Sequence, residues 1–480
     1  MTGSISRTPS APVLLPGFTG TQLPSWLVAR LRGGLGGVCL FAENIASPAQ
    51  LRELTATIRE ANPLALIAID EEGGEVSRLH AATGSPYPGN AVLGRIDDLE
   101  LTASVGAAVA AELRAAGVNL NLAPDADINS DPDNPVIGVR SFGADAELVA
   151  RHTAAWVAAS EAAGVAVSAK HFPGHGDTAT DSHHALPVVE LPLETLRARE
   201  LRPFEAAIAA GARTIMSSHI LLPRLDPDVP ATFSSPILEG LLRAPRSAGG
   251  LGFTGVIVSD ALDMAGASGR IGIPAAAVRA LAGGCDLLCI GTRTTEAQLA
   301  GIEAAIAAAV AGGALPAGRI ADASARVRAL ARSLEVPLEV PRAVPPPPFA
   351  ADLARIRRSF EVRATPVAGA CLVSLETTAN MAVGPEVPWG LASAGLAPEP
   401  LREGDALPAS EVPYLIVGRD NHRLAWTREL VDAARAAQPA TVVVDMGWPS
   451  ADRAYADIAT FGASASVSAA LRELLEGGTP

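Results

Sequence analysis

Residues 165–187 read VAVSAKHFPGHGDTATDSHHALP. An apolar run stops on Lys170 and His171 and opens into a polar loop rich in glycine and histidine. Seven further runs have the same form: Pro12–Phe18, Gly37–Ala42, Ala65–Asp70, Val118–Pro124, Thr214–Ile220, Gly255–Asp260 and Asp286–Gly291. All are near-continuously apolar rather than alternating, as parallel strands buried on both faces must be. Helical patterns separate them at Ser47–Ala61, Leu99–Ala116, Asp145–Ala163, Glu194–Ala210, Pro274–Ala282 and Thr295–Ala311. Eight strands alternating with helices over roughly 250–330 residues predict a (β/α)8 barrel. A doubly wound sheet is the competing arrangement, but no glycine-rich dinucleotide loop follows the first run.

The barrel is expected to occupy residues 1–335. Residues 336–350, VPLEVPRAVPPPPFA, hold six prolines and predict a stiff, extended linker. Beyond it, Ala368–Leu375, Tyr414–Gly418 and Thr441–Asp445 read as strands, with helices near Leu424–Ala437 and Val467–Leu475. Residues 351–480 are therefore expected to form a smaller α/β sandwich.

Composition narrows the function. The chain has 480 residues, 49% of them hydrophobic and 18% charged, enough aliphatic material for large cores and too much for disorder. A formal charge of −14 argues against nucleic acid or an anionic membrane as partner. The longest charge-free stretch, Ala304–Gly318, is too short for a membrane span and is broken by Gly and Pro. Cys39, Cys285 and Cys289 lie inside apolar runs, as buried thiols in a reducing compartment would. With no signal-like segment at the start, the expectation is a cytoplasmic protein.

Chemistry in a barrel belongs at the carboxyl ends of the strands and in the loops after them. There the sequence places Asp70 and Arg78, Arg140, Lys170 and His171, His219, and Asp260. The segment 170–187 holds four of the eight histidines and the only lysine among 37 basic residues. Arginine can replace lysine where charge alone matters, but not where a compact tetrahedral ammonium is needed. A solvated loop, a metal site and a catalytic loop are all compatible with this segment. Neither an HExxH helix nor a Cys/His spacing supports the metal.

Four stretches in order, IDEEGG (69–74), NSDPDNPVIGVRSFG (129–143), KHFPGHGDTATDSHHALP (170–187) and GVIVSDALDM (255–264), resemble glycoside hydrolase family 3. Within the family they are similar to its two-domain bacterial beta-N-acetylglucosaminidase branch. The resemblance implies retaining, exo-acting removal of a terminal beta-linked N-acetylglucosamine, with a small carbohydrate substrate and neither cofactor nor metal. Asp260 matches the nucleophile that forms a glycosyl-enzyme intermediate. His183 matches the general acid/base and Asp181 its partner; in an extended loop residues i and i+2 share a side, so Asp181 can polarise the imidazole. Asp70, Arg78, Arg140, Lys170 and His171 match the groups around the sugar ring. Glu75 departs from the pattern, at a position where Arg is expected.

A histidine acid/base leaves the site less negative than a second carboxylate would, so phosphorolysis is an alternative to hydrolysis. A non-catalytic sugar-binding protein is the alternative from another class, yet Asp181, His183 and Asp260 are all present. Without an export signal, the expected setting is cell-wall recycling of internalised fragments.

Overall fold

The structure is a computed structural model that describes residues 8–178, 180–182, 185–334, 349–365, 368–377, 382–384 and 387–477. His183, His184 and residues 336–348 of the proline-rich stretch lie outside the described residues. Each of the eight apolar runs contains a strand: β1 (Leu14–Pro16), β2 (Gly37–Leu40), β3 (Leu66–Ile69), β4 (Leu120–Asn121), β5 (Ala166–Phe172), β6 (Thr214–Ser217), β7 (Val256–Ser259) and β8 (Leu287–Gly291). They form one parallel sheet in the order β1-β8-β7-β6-β5-β4-β3-β2. The seam between the two end strands is closed beside β2 by Gly36, whose N–H donates to Ala11 O at 2.9 Å. A Cβ there would lie 2.2 Å from Pro12 O, so only glycine fits.

The barrel is filled rather than hollow. Leu15, Cys39, Leu66, Ala68, Leu120, Met216, Val258, Leu287 and Cys289 pack into one buried cluster. The helix Ala317–Ser333 adds Val327, Leu330 and Ala331 to it. The expected helix over 194–210 is two helices, Leu193–Ala198 and Arg202–Ala209. Pro203 explains the break: it has no N–H to give and its ring would clash with the carbonyl of residue 199.

The second sheet has the order β11-β10-β12-β13-β14-β9, where β9 is Glu361–Val362, β10 Cys371–Leu375, β11 Glu399–Leu401, β12 Tyr414–Gly418, β13 Val442–Asp445 and β14 Ile458–Ala459. Only the β14–β9 pair is antiparallel. Helices Ala425–Ala437 and Ala465–Leu475 bury their apolar faces against it, the first over Val373, Ile416 and Val443, the second over Leu415, Val417 and Val444.

The compact units do not follow chain order. Unit 1 comprises residues up to Glu71, Leu99–Ile128 and Ala150–Pro347; unit 2 comprises Glu72–Asp98, Asn129–Val149 and everything from Pro348 on. Two long loops of the barrel segment, those after β3 and β4, thus belong to the second unit. The helix Asn90–Ile96 in the first of them buries Val92 in the core that Leu415 and Val444 also line.

Candidate active site

Within unit 1 the strand ends bring several of the expected residues together. Asp70 follows β3 and Lys170 sits in β5, with Lys170 Nζ 2.7 Å from Asp70 Oδ1. The lysine side chain is 3% exposed, so its ammonium is compensated by that carboxylate rather than by bulk water.

His171, next along β5, is fastened by a residue the sequence did not single out. Asp127 Oδ2 lies 2.6 Å from His171 Nδ1, and both Asp127 oxygens lie 3.2 Å from the His171 N–H. The His175 N–H donates to Asp127 Oδ1 at 2.6 Å. Burial pushes the Asp127 carboxyl up, but His171 and His175 outweigh it and hold the group below the usual carboxylate range. An ionised Asp127 only accepts, so His171 Nδ1 carries the hydrogen and Nε2 is the outward-acting atom. Asp125, Asp127 and His171 bring possible metal-ligand atoms within 4.8 Å of one another.

His175 holds the loop that follows. Thr178 Oγ1 donates to His175 O at 3.1 Å, so it accepts from His175 Nδ1 at 3.0 Å, and Nε2 accepts from Ser182 Oγ at 2.9 Å. Burial pushes the imidazole down to about 4, so it is neutral at pH 7. Ser182 lies between Asp181 and His183 in the chain, and its carbonyl accepts from Gly266 N at 3.2 Å. The turn is pinned from both sides.

At the end of β7, Asp260 Oδ1 accepts from the Ala261 N–H at 2.7 Å. The Ala261 carbonyl accepts from His219 Nε2 at 3.0 Å, and His219 Nδ1 faces Thr232 Oγ1 at 2.9 Å. His219 is fully buried, and it fixes the peptide next to Asp260. Asp263 ties this loop to the end of β8, accepting from the Thr292 N–H at 2.9 Å.

Unit 2 carries the two expected arginines. Arg140 makes a bidentate pair with Glu72, at 2.9 Å from Nε and 2.7 Å from Nη2, and its Nη1 donates to Val136 O at 3.0 Å. Arg78 donates to Ala382 O at 2.8 Å and to Val383 O at 3.3 Å. Glu72, Asp127, Thr178 and Ser182 escaped the sequence reading. One signal for Asp127 was available: in APDAD, Asp125 and Asp127 fall on the same side of an extended strand end, whereas Asp131 and Asp133 follow in the turn.

Residues 27–330 match the family described as "Glycosyl hydrolase family 3 N terminal domain". The chain belongs to glycosyl hydrolase family 3. This family 3 chain is 41% identical over 286 residues to a beta-hexosaminidase of Xylella fastidiosa, covering 58% of the chain and 83% of the relative. A Pseudomonas aeruginosa beta-hexosaminidase is 39% identical over 287 residues, covering 58% and 84%. Among solved structures, a family 3 beta-N-acetylglucosaminidase from Paenibacillus sp. matches with a TM-score of 0.83 and 30% identity over 98% of this chain and 96% of that one. The likeness therefore takes in the barrel and the α/β sandwich together. A beta-glucoside phosphorylase superposes over 99% of the chain with a TM-score of 0.78 at 20% identity, a likeness of fold.

Proposed function

We propose that this chain removes terminal beta-linked N-acetylglucosamine from the non-reducing end of a small carbohydrate, with retention of configuration. The observation that carries this reading is the rim of unit 1, where Asp70, Lys170, His171, His219 and Asp260 all follow or end parallel strands at their carboxyl side. The choice of sugar rests on the beta-hexosaminidase relatives at 39–41% identity.

In the first step a carboxylate oxygen of Asp260 bonds to the anomeric carbon as the glycosidic bond breaks, and His183 gives its proton to the leaving oxygen. In the second step His183 takes a proton from water, the water oxygen bonds to the anomeric carbon, and the bond to Asp260 breaks. Asp181 supports the charged imidazole. The Ala261 N–H holds the Asp260 carboxylate in one orientation, so less ordering remains to be done on the way to the transition state. Asp70 and Lys170 serve as acceptor and donor for ring hydroxyls, with His171, Arg78 and Arg140 as further groups around the sugar. For the setting, we assign a reducing, cytoplasmic compartment and fragments of internalised cell wall; the free thiols Cys39, Cys285 and Cys289 support it.

The test is product analysis on a chromogenic beta-N-acetylglucosaminide, with and without phosphate. Release of free N-acetylglucosamine under both conditions is expected. N-acetylglucosamine 1-phosphate as the main product in phosphate would make the enzyme a phosphorylase. No turnover, with a glucoside accepted instead, would overturn the sugar assignment.

A further inference from the structure

Glu75 is the residue at which the sequence departs from the family pattern, and within unit 2 it has a partner. Arg419, just after β12, donates from Nη1 to Glu75 Oε2 at 3.2 Å, with the two side chains only 8% and 9% exposed. The Arg419 guanidinium lies over the Trp389 ring, 4.2 Å from its centroid. Burial holds the Glu75 carboxyl above the usual carboxylate range, with Arg419 opposing that push. The expected basic residue at position 75 would instead face Arg419 as a like charge.

The pair is one of several ties between the C-terminal segment and the two barrel-segment loops. Arg78, three residues beyond Glu75, is held by the carbonyls of Ala382 and Val383. Arg423 Nη2 donates to Asn134 O at 2.6 Å in the loop that carries Arg140. Glu75, Arg140, Arg419 and Arg423 line one cavity of about 30 Å³.

We infer that Glu75 and Arg419, braced on Trp389, form a positioning clasp through which the C-terminal segment sets the place of Arg78 and Arg140. Sugar affinity then depends on residues beyond the linker that belong to no catalytic motif. The inference rests on the reading of Arg78 and Arg140 as sugar-binding groups. Breaking either half of the pair leaves a buried charge unmatched, and the loop must shift or admit water to relieve it.

The experiment is a charge-reversal cycle in the full chain: Glu75→Arg, Arg419→Glu and the double variant, with Glu75→Gln as the conservative member. Two readouts are taken, KM and kcat on the chromogenic N-acetylglucosaminide, and backbone hydrogen exchange over residues 72–98. Each single reversal is expected to raise KM about tenfold with kcat little changed, and to speed exchange in that loop. The double variant is expected to restore exchange and bring KM within about threefold of the wild type, the remainder being the lost stacking on Trp389. If the reversals prevent folding, Glu75→Gln gives the same two readouts with a smaller rise in KM. Singles that leave KM and exchange unchanged, or a double variant no better than the singles, overturn the clasp. A wild type that does not turn over the substrate sinks the functional reading instead, and the exchange cycle still decides the clasp.

Discussion

With one lysine in a chain otherwise supplied with arginine, Lys170 is the residue whose chemistry is most constrained. Its Nζ lies 2.7 Å from Asp70 Oδ1 with the lysine side chain 3% exposed, and a planar, forked guanidinium presents its donors in a different geometry. Lys170→Arg is expected to raise KM more than it lowers kcat, and acylation of the folded wild type should spare Lys170 until the protein is unfolded. Peptide mapping with and without denaturant checks the second point. Two other buried groups each make the stability depend on pH. Burial pushes Glu200 up to about 7, so the folded state holds a proton that the unfolded state has lost, and stability falls as pH rises from about 4.5 through 7. His175, pushed down to about 4, acts in the opposite sense, adding stability as pH rises from about 4 to 6.5. Glu200→Gln removes the first contribution alone, so urea midpoints should favour the variant at pH 8 by up to about 3 kcal/mol and differ little at pH 4.5. Parallel curves would contradict it. Residues that end an apolar run, such as Asp70, Lys170 and Asp260, were legible because the strand names their position. Asp127 was not, since its neighbours Asp125, Asp131 and Asp133 are of the same type, and Asp125 shares both its side of the strand end and its burial.

At the scale of elements, the loop after β5 is held by contacts of small atoms. A Cβ on Gly176 would lie 1.6 Å from Ile128 O, so Gly176→Ala must push the loop away from the segment after β4 and strain the contact of His175 with Asp127. We expect a loss of at least about 100-fold in kcat/KM with the barrel still folded, from misplacement of the acid/base segment. Cooperative unfolding by circular dichroism alongside the kinetics separates this from collapse of the fold. His183→Ala should spare substrates with good leaving groups in glycosylation and cripple those with poor ones, because only the latter need a proton. Equal losses for both would make His183 a structural residue. The eight barrel strands were legible as apolar runs because both their faces are buried. Strands β9, β11 and β14, of two or three residues, are too short to show any period. The break before Pro203 was readable in principle; the apolar spacing on either side of it masked the break.

For the whole molecule, the proline-rich stretch announced a boundary along the chain but not how the chain divides in space. The loops after β3 and β4 pack with the residues that follow the linker, through Val92 in the second core and through Glu75, Arg78 and Asn134 at its polar edge. No periodicity in residues 72–98 or 129–149 encodes that allegiance, because the partners lie some 250–350 positions away. The central claim is that hydrolysis passes through a covalent bond between the sugar and Asp260. Its most direct test is trapping with a 5-fluoro N-acetylglucosaminyl fluoride followed by mass mapping of the labelled peptide. One sugar per chain is expected on the peptide containing Asp260, and no label on Asp260→Asn. A label on Asp263 or Glu72, or turnover with inverted configuration and no trapped sugar, would contradict it.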